Sequence, residues 1–274
     1  MILSELLPFL ESIGQRPKKG LSQNFLVDKN VVQKIVRTAT VSPSDTVLEI
    51  GPGPGALTTA LLDAGARVIA VEADFVLAQN LHRLQTPDNR LSVHHHDFLT
   101  FPLPSGPLKV VANLPYHITT PILAKLIDHA PLFSSLTFMV QTQVAERILA
   151  KPNTKAFSSL TLFLQFYTTP LHSFRVSSSC FFPKPTIDST VLHLALHPPP
   201  LSNPAPFFTL MRRAFQQRRK TLSRSLNLPG IKEALLQSGL NPDARPEALS
   251  LDEWLSFYAN LNPLLINLDK KYAP

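Results

Sequence analysis

The chain has 274 residues, 44% of them hydrophobic, a formal net charge of +7 and a pI near 9.6. That length fits one large domain, or one of ~200 residues with a small appendage, and no apolar run reaches the ~18 residues of a membrane span. The single cysteine, Cys180, excludes an internal disulfide and a cysteine-built metal site, while the basic balance favours a polyanionic partner, usually nucleic acid.

The first fourteen residues, MILSELLPFLESIG, are apolar but carry Glu5 and Glu11 and no basic residue. A secretory signal begins with basic residues, so a short amphipathic helix is expected, in a cytoplasmic protein. A second short helix follows the basic stretch RPKKGLSQNFL, completing residues 1 to 40. From residue 46 strands and helices alternate: strand 46–50, helix 56–65, strand 67–72, helix 74–84, strand 91–97, strand 108–113, helix 121–130, strand 136–141 and a helix from 143. Residues 156–168 read as a helix or a strand, with helix favoured, and TVLHLAL (190–196) as a late strand. Such alternation implies parallel βαβ units, a doubly wound, Rossmann-like α/β sheet. The proline-rich run 197–206 reads as a linker, followed by a small helical domain. The expected domains are 1–200 and 201–274.

Three of the nine glycines fall within residues 51–55, where the first strand runs into GPGPG and then a helix. Such a turn allows a ligand close to the backbone and leaves helix amides free. It departs from the dinucleotide pattern, because Ala56 stands where a third-position glycine belongs, and Glu49 precedes it. An acid there suits a cationic ligand, which argues for S-adenosylmethionine over NAD. Glu72 closes the next strand, placed to accept ribose hydroxyls, and Asp97 the one after, placed to accept from an adenine amino group. The triplet His94, His95 and His96 puts at most two histidines on one strand face, with no cysteine nearby, so no metal site is expected.

At the end of strand 108–113 stands Asn113-Leu114-Pro115-Tyr116. An exocyclic adenine amine is a poor nucleophile, because its lone pair is delocalised into the ring. Two acceptors on its N–H bonds, the Asn113 side-chain oxygen and the Leu114 carbonyl, localise that lone pair without a strong base. The Tyr116 ring holds the base by stacking.

With these segments in place the chain resembles the ribosomal RNA adenine N6,N6-dimethyltransferases of the small-subunit (KsgA) type over essentially its whole length. LSQNFL (21–26), VLEIGPGPGALT (47–58), Glu72, Asp97, NLPY (113–116), MVQTQVAERI (139–148), FPKPTIDS (182–189) and AFQQRRKTL (214–222) carry the resemblance, in order. It implies a class I methyltransferase fold and dimethylation, from S-adenosylmethionine, of two adjacent adenosines in the 3′-terminal hairpin of small-subunit rRNA. It also implies an immature 30S particle as partner, and a role in late assembly. The first domain would be catalytic and the second RNA-binding. Carried over by residue, Asn24, Leu26, Gly51, Glu72, Asp97 and Asn113 line the cofactor pocket, and Phe182 packs on the target base opposite Tyr116. Two residues depart from the family pattern: Ser22 replaces a usual Gly, where a positive φ would be strained, and Arg224 replaces a common Asn.

No acid occurs from Pro198 to Lys232, a stretch holding Arg212, Arg213, Arg218, Arg219, Lys220 and Arg224. These are the expected phosphate contacts. Apolar residues at 208, 211, 215, 222 and 226 share a helical face that the arginines interrupt, so a break near Gln217 is expected. No dimer signature appears, and a monomer is expected. Other readings are a non-catalytic nucleic-acid-binding factor on the same fold, a DNA-adenine or glutamine-amide methyltransferase, and a large-subunit rRNA methyltransferase. Leu114 disfavours the second of these, since such enzymes commonly carry Pro there.

Overall fold

The computed structural model describes residues 1–217, 219–228 and 230–261. The elements run α1 (Leu3–Ser12), β1 (Phe25–Leu26), α2 (Lys29–Thr38), β2 (Thr46–Ile50), α3 (Ala56–Asp63), β3 (Arg67–Glu72), α4 (Phe75–Leu81), β4 (Leu91–His95), β5 (Leu108–Asn113), α5 (Thr119–Asp128), β6 (Phe133–Gln141), α6 (Thr142–Ile148), α7 (Ser159–Gln165), β7 (Thr168–Val176), β8 (Phe181–Phe182), β9 (Ser189–Leu196), α8 (Ala205–Phe215), α9 (Leu222–Leu226), α10 (Ile231–Gln237) and α11 (Leu251–Asn260).

Seven strands form one sheet in the order β4-β3-β2-β5-β6-β9-β7. The ladders β2–β3, β3–β4, β2–β5 and β5–β6 are parallel, as the alternation predicts. β9 is different: it lies antiparallel to β6, with Met139 opposite Val191, so the sheet is mixed. The chain builds outward from β2 to β4 and returns to β5 on the other side of β2. The switch point therefore lies between β2 and β5, where ligands of open α/β sheets bind beyond the strands' carboxyl ends. Central strands are apolar on both faces, which is why Val47, Leu48, Val110, Val111 and Phe138 are all wholly buried.

Contacts divide the chain into two compact units, residues 1–145 with 169–196, and residues 146–168 with 197–274. This departs from the boundary expected at residue 200, because Phe157, Leu162 and Phe166 bury their side chains in a core shared with Phe207, Trp254 and Phe257. The run 156–168 yields the helix α7 only over Ser159–Gln165, and β7 begins at Thr168. The expected helix break falls between Phe215 and Leu222. A separate two-stranded sheet pairs β1 with β8 antiparallel, Phe25 opposite Phe182. Among the described residues no helix is long and apolar enough to cross a membrane.

Candidate cofactor and target-base site

The turn after β2 adopts left-handed backbone at Gly53 (φ +55°) and Gly55 (φ +88°). A Cβ on Gly53 would stand 3.1 Å from the Phe25 ring, and one on Gly55 would stand 2.5 Å from Leu84 Cδ1. The sequence thus spends glycine where neither the backbone nor the surroundings accept a side chain. The Gly53 amide donates to Glu72 Oε2 at 2.9 Å, and the Asp74 amide donates to Glu72 Oε1 at 2.9 Å. These bonds fix the carboxylate while leaving further lone pairs on each oxygen. Burial is the main influence on the Glu72 carboxyl and raises its pKa, despite those backbone donors.

Glu49, on β2, is the least solvated acid of the site, 1% exposed. Its Oε2 is buried with no hydrogen-bond partner. Burial pushes its pKa to about 8, Thr58 opposing and the nearby Glu72 charge adding. Asp97 stands two residues beyond β4, which ends at His95, so it opens a turn instead of closing a strand. Its Oδ1 accepts from the Leu99 amide at 2.9 Å.

Asn113 ends β5. Its Nδ2 donates to the Asn24 carbonyl at 3.2 Å, which fixes the amide's orientation. Its Oδ1 is buried and has no partner. A buried acceptor left unpaired costs about 1–3 kcal/mol, and Asn113 lines the cavity described below. The Leu114 amide donates to the Met139 carbonyl at 3.1 Å, so the turn is pinned to β6. Tyr116 is fixed from its far end by a 2.6 Å hydrogen bond between its hydroxyl and Ser189 Oγ. Burial raises the phenol's pKa, with Ser189 opposing.

The segment before β1 is tied down over the same region. Lys18 Nζ pairs with Asp74 at 2.8 Å, and Gln23 Nε2 donates to the same carboxylate at 3.1 Å. Asp74 is buried and also caps α4, accepting from the Val76 amide at 3.1 Å. Ser22 takes φ +50°, the strained conformation anticipated where the family has Gly, and its carbonyl accepts from Asn24 Nδ2 at 3.1 Å.

Asn24, Leu26, Gly51, Glu72, Asp97 and Asn113 all line one cavity of about 220 Å³, together with Leu114 and Tyr116. Phe182 does not; its partner across the small sheet, Phe25, does. Glu49, Gln23, Phe98 and His96 line it as well. Of these, Glu49 drew attention in the sequence for its charge, and His96 only as part of the histidine triplet. Asp74 and Ser189 escaped notice, although an Asp two residues after a strand-end Glu reads as a helix cap. Among the described residues no group of three or more His, Cys, Asp or Glu side chains is arranged to hold a metal. His94 and His96 pack on Phe101, and His95 on Phe75.

A pocket of this make-up, glycine turn, acids on successive strands and Asn-Leu-Pro-Tyr on β5, is matched by a family profile. The family described as "Ribosomal RNA adenine dimethylase" matches residues 14–262. The chain belongs to the ribosomal RNA adenine dimethylase family. Like the other members it is an S-adenosylmethionine-dependent rRNA adenine dimethyltransferase. It is 49% identical over 272 residues to "Ribosomal RNA small subunit methyltransferase A" of Protochlamydia amoebophila (strain UWE25), covering 94% of this chain and 96% of that one. It is 44% identical to the protein of the same name from Chlamydia trachomatis serovar D, covering 93% and 96%. Among solved structures it resembles a dimethyladenosine transferase from Plasmodium falciparum, with TM-score 0.76, 26% identity and coverage of 87% and 97%. The 23S rRNA methyltransferase ErmE matches with TM-score 0.71, 27% identity and coverage of 87% and 99%. The Rossmann-like class I sheet expected from the sequence is thus the family's fold. The family's cofactor suits the residues present: the unpartnered Glu49 oxygen complements a cationic ligand, and Gly51 and Gly53 of the glycine turn line the cavity.

Proposed function

We propose that this dimethylase acts on two adjacent adenosines in the 3′-terminal hairpin of small-subunit rRNA, late in the assembly of an immature 30S particle in the cytoplasm. Its relatives above 40% identity carry the small-subunit name, and this favours that substrate over the large-subunit rRNA of the ErmE neighbour. The observation that carries the chemistry is Asn113 Oδ1, a buried acceptor without a partner at the end of β5.

In this reading Glu72 accepts from the ribose hydroxyls of the cofactor and Asp97 from its adenine amine, while Asn24, Leu26 and Gly51 shape the pocket walls. S-adenosylmethionine, when bound, supplies a methyl group made electrophilic by its sulfonium. Asn113 Oδ1 and the Leu114 carbonyl accept from the two N–H bonds of the target amine and draw its lone pair out of conjugation. Tyr116 stacks on the extruded base, its ring angle set by Ser189, and Phe182 forms the other side of the base cleft. The amine proton leaves to solvent once the nitrogen carries the methyl group, so no strong base is required. Two rounds on each nitrogen give dimethyladenosine.

The basic segment of the second unit supplies phosphate contacts. Arg212, Arg219, Lys220 and Arg224 are exposed and Arg213 half-buried, whereas Arg218 lies outside the described residues. In this reading the chain acts as a monomer. The test is labelled methyl transfer to unmethylated small-subunit rRNA or immature particles. Dimethyladenosine forms with the native protein and not with Asn113→Ala; unchanged turnover in that variant refutes the role given to the amide.

A further inference from the structure

Lys125 projects from α5, six residues past its start, and its ammonium has three N–H donors. All three are used on one short turn. Lys125 Nζ donates to the carbonyls of Phe98 at 2.8 Å, Leu99 at 3.1 Å and Phe101 at 2.5 Å. The amides of that turn point the other way. Leu99 donates to Asp97 Oδ1 at 2.9 Å, and Thr100 and Phe101 donate to the Asp97 carbonyl at 3.1 and 3.0 Å, Phe101 sharing its amide with the Phe98 carbonyl at 3.3 Å. The turn 97–101 is therefore a small dipole with a carboxylate at its amide end and an ammonium at its carbonyl end, the charge order that stabilises helix termini. The ammonium also stands 5.1 Å from the Phe98 ring centroid. Its root is immobile, because Ile122, Leu123 and Leu126 of the same helix are wholly buried.

Asp97, Phe98 and Leu99 line the cofactor cavity; Lys125 does not. We propose that Lys125 is a positioning residue that sets the adenine specificity of the cofactor pocket by holding the 97–101 turn from behind. Nothing else about the residue requires this chemistry: it lies in α5 outside the NLPY turn, and the signature motifs of the sequence pass it by. The inference rests on the reading that Asp97 accepts from the adenine amine. Removing the ammonium strips three carbonyls of their shared donor, and the turn then relaxes. Asp97 keeps its charge and loses its direction. A misplacement of ~1 Å in such a contact is worth up to roughly a hundredfold.

The test compares S-adenosylhomocysteine with S-inosylhomocysteine, in which a carbonyl oxygen replaces the amine, by calorimetry on the full chain. The native protein prefers the adenosyl ligand. Asp97→Ala abolishes that preference, and Lys125→Met lowers it roughly ten- to a hundredfold, while turnover at saturating S-adenosylmethionine stays within about a factor of two. Lys125→Arg, which keeps charge and donors, restores most of the preference, and Lys125→Gln carries the comparison if the Met variant does not fold. A native preference that survives Asp97→Ala overturns the reading of Asp97 itself. A preference lost in Asp97→Ala yet intact in Lys125→Met overturns the role of Lys125 alone. Equal weakening of both ligands in the Lys125 variants also overturns it, leaving that side chain a merely structural part.

Discussion

Replacing Glu49 with Gln tests how the ligand-free protein holds this buried acid. Glu49 is wholly buried on β2, its Oε2 has no partner, and its carboxyl is pushed from an ordinary value of 4.5 to about 8. The folded state therefore binds a proton that the unfolded chain has already released, across the window between those values. The sign follows: stability is greatest below 4.5, falls as pH rises, and levels off above 8. The slope within the window approaches about 1.4 kcal/mol per pH unit, and the full loss is of the order of 5 kcal/mol. Glu72, also raised by burial, adds a slope of the same sign that the variant retains. Urea unfolding of the ligand-free protein at several pH values between 5 and 8.5 measures the effect. Glu49→Gln flattens the curve relative to the native protein, so that the variant gains steadily on it toward alkaline pH. Parallel curves for the two proteins would falsify the claim that Glu49 is protonated in the folded, ligand-free protein. The same substitution should narrow the gap in affinity between S-adenosylmethionine and its neutral thioether product, most clearly at pH 8, where the native carboxylate is available to the cation.

Ser22→Gly relieves the left-handed serine at φ +50° and raises stability by about 1 kcal/mol, read as a shift in the urea midpoint at constant slope. Gly55→Ala places a methyl 2.5 Å from Leu84 Cδ1 at a φ of +88° and destabilises by about 3 kcal/mol; thermal melts show it, together with loss of cofactor binding. Combined replacement of Arg219, Lys220 and Arg224 with Ala weakens rRNA binding and lowers the slope of log affinity against log salt by roughly two to three. An unchanged slope would remove those side chains from the RNA contacts.

What the sequence disclosed was local. The glycine turn, the strand-end acids and Asn-Leu-Pro-Tyr are each readable within a dozen residues, since strand, turn and ligand contact follow one another along the chain. Asp74 shows the other case. Its partners Lys18 and Gln23 lie more than 50 positions away, so only the fold brings them together. β7 was missed because TTPLHSFRV shows no clean alternation and carries Pro170; in the fold it is an edge strand with most residues exposed, where neither feature is penalised. Proline density marked a boundary near residue 200, but the amphipathic pattern of α7 does not state which core receives it. Phe157 and Phe166 settle that by packing with Trp254 and Phe207.

α5 touches both ends of the pocket. Its first residue, Thr119, donates from Oγ1 to the Pro115 carbonyl at 3.2 Å, closing the Asn-Leu-Pro-Tyr turn. Six residues later Lys125 grips the turn that carries Asp97. At ~1.5 Å per residue the two grips stand ~9 Å apart along one helix. α5 is thus a ruler between the Asn-Leu-Pro-Tyr turn and the Asp97 turn, marked in helical turns. A single residue inserted between 119 and 125 rotates Lys125 by ~100° and moves it ~1.5 Å, putting the two ends out of register without changing the identity of any residue that lines the pocket.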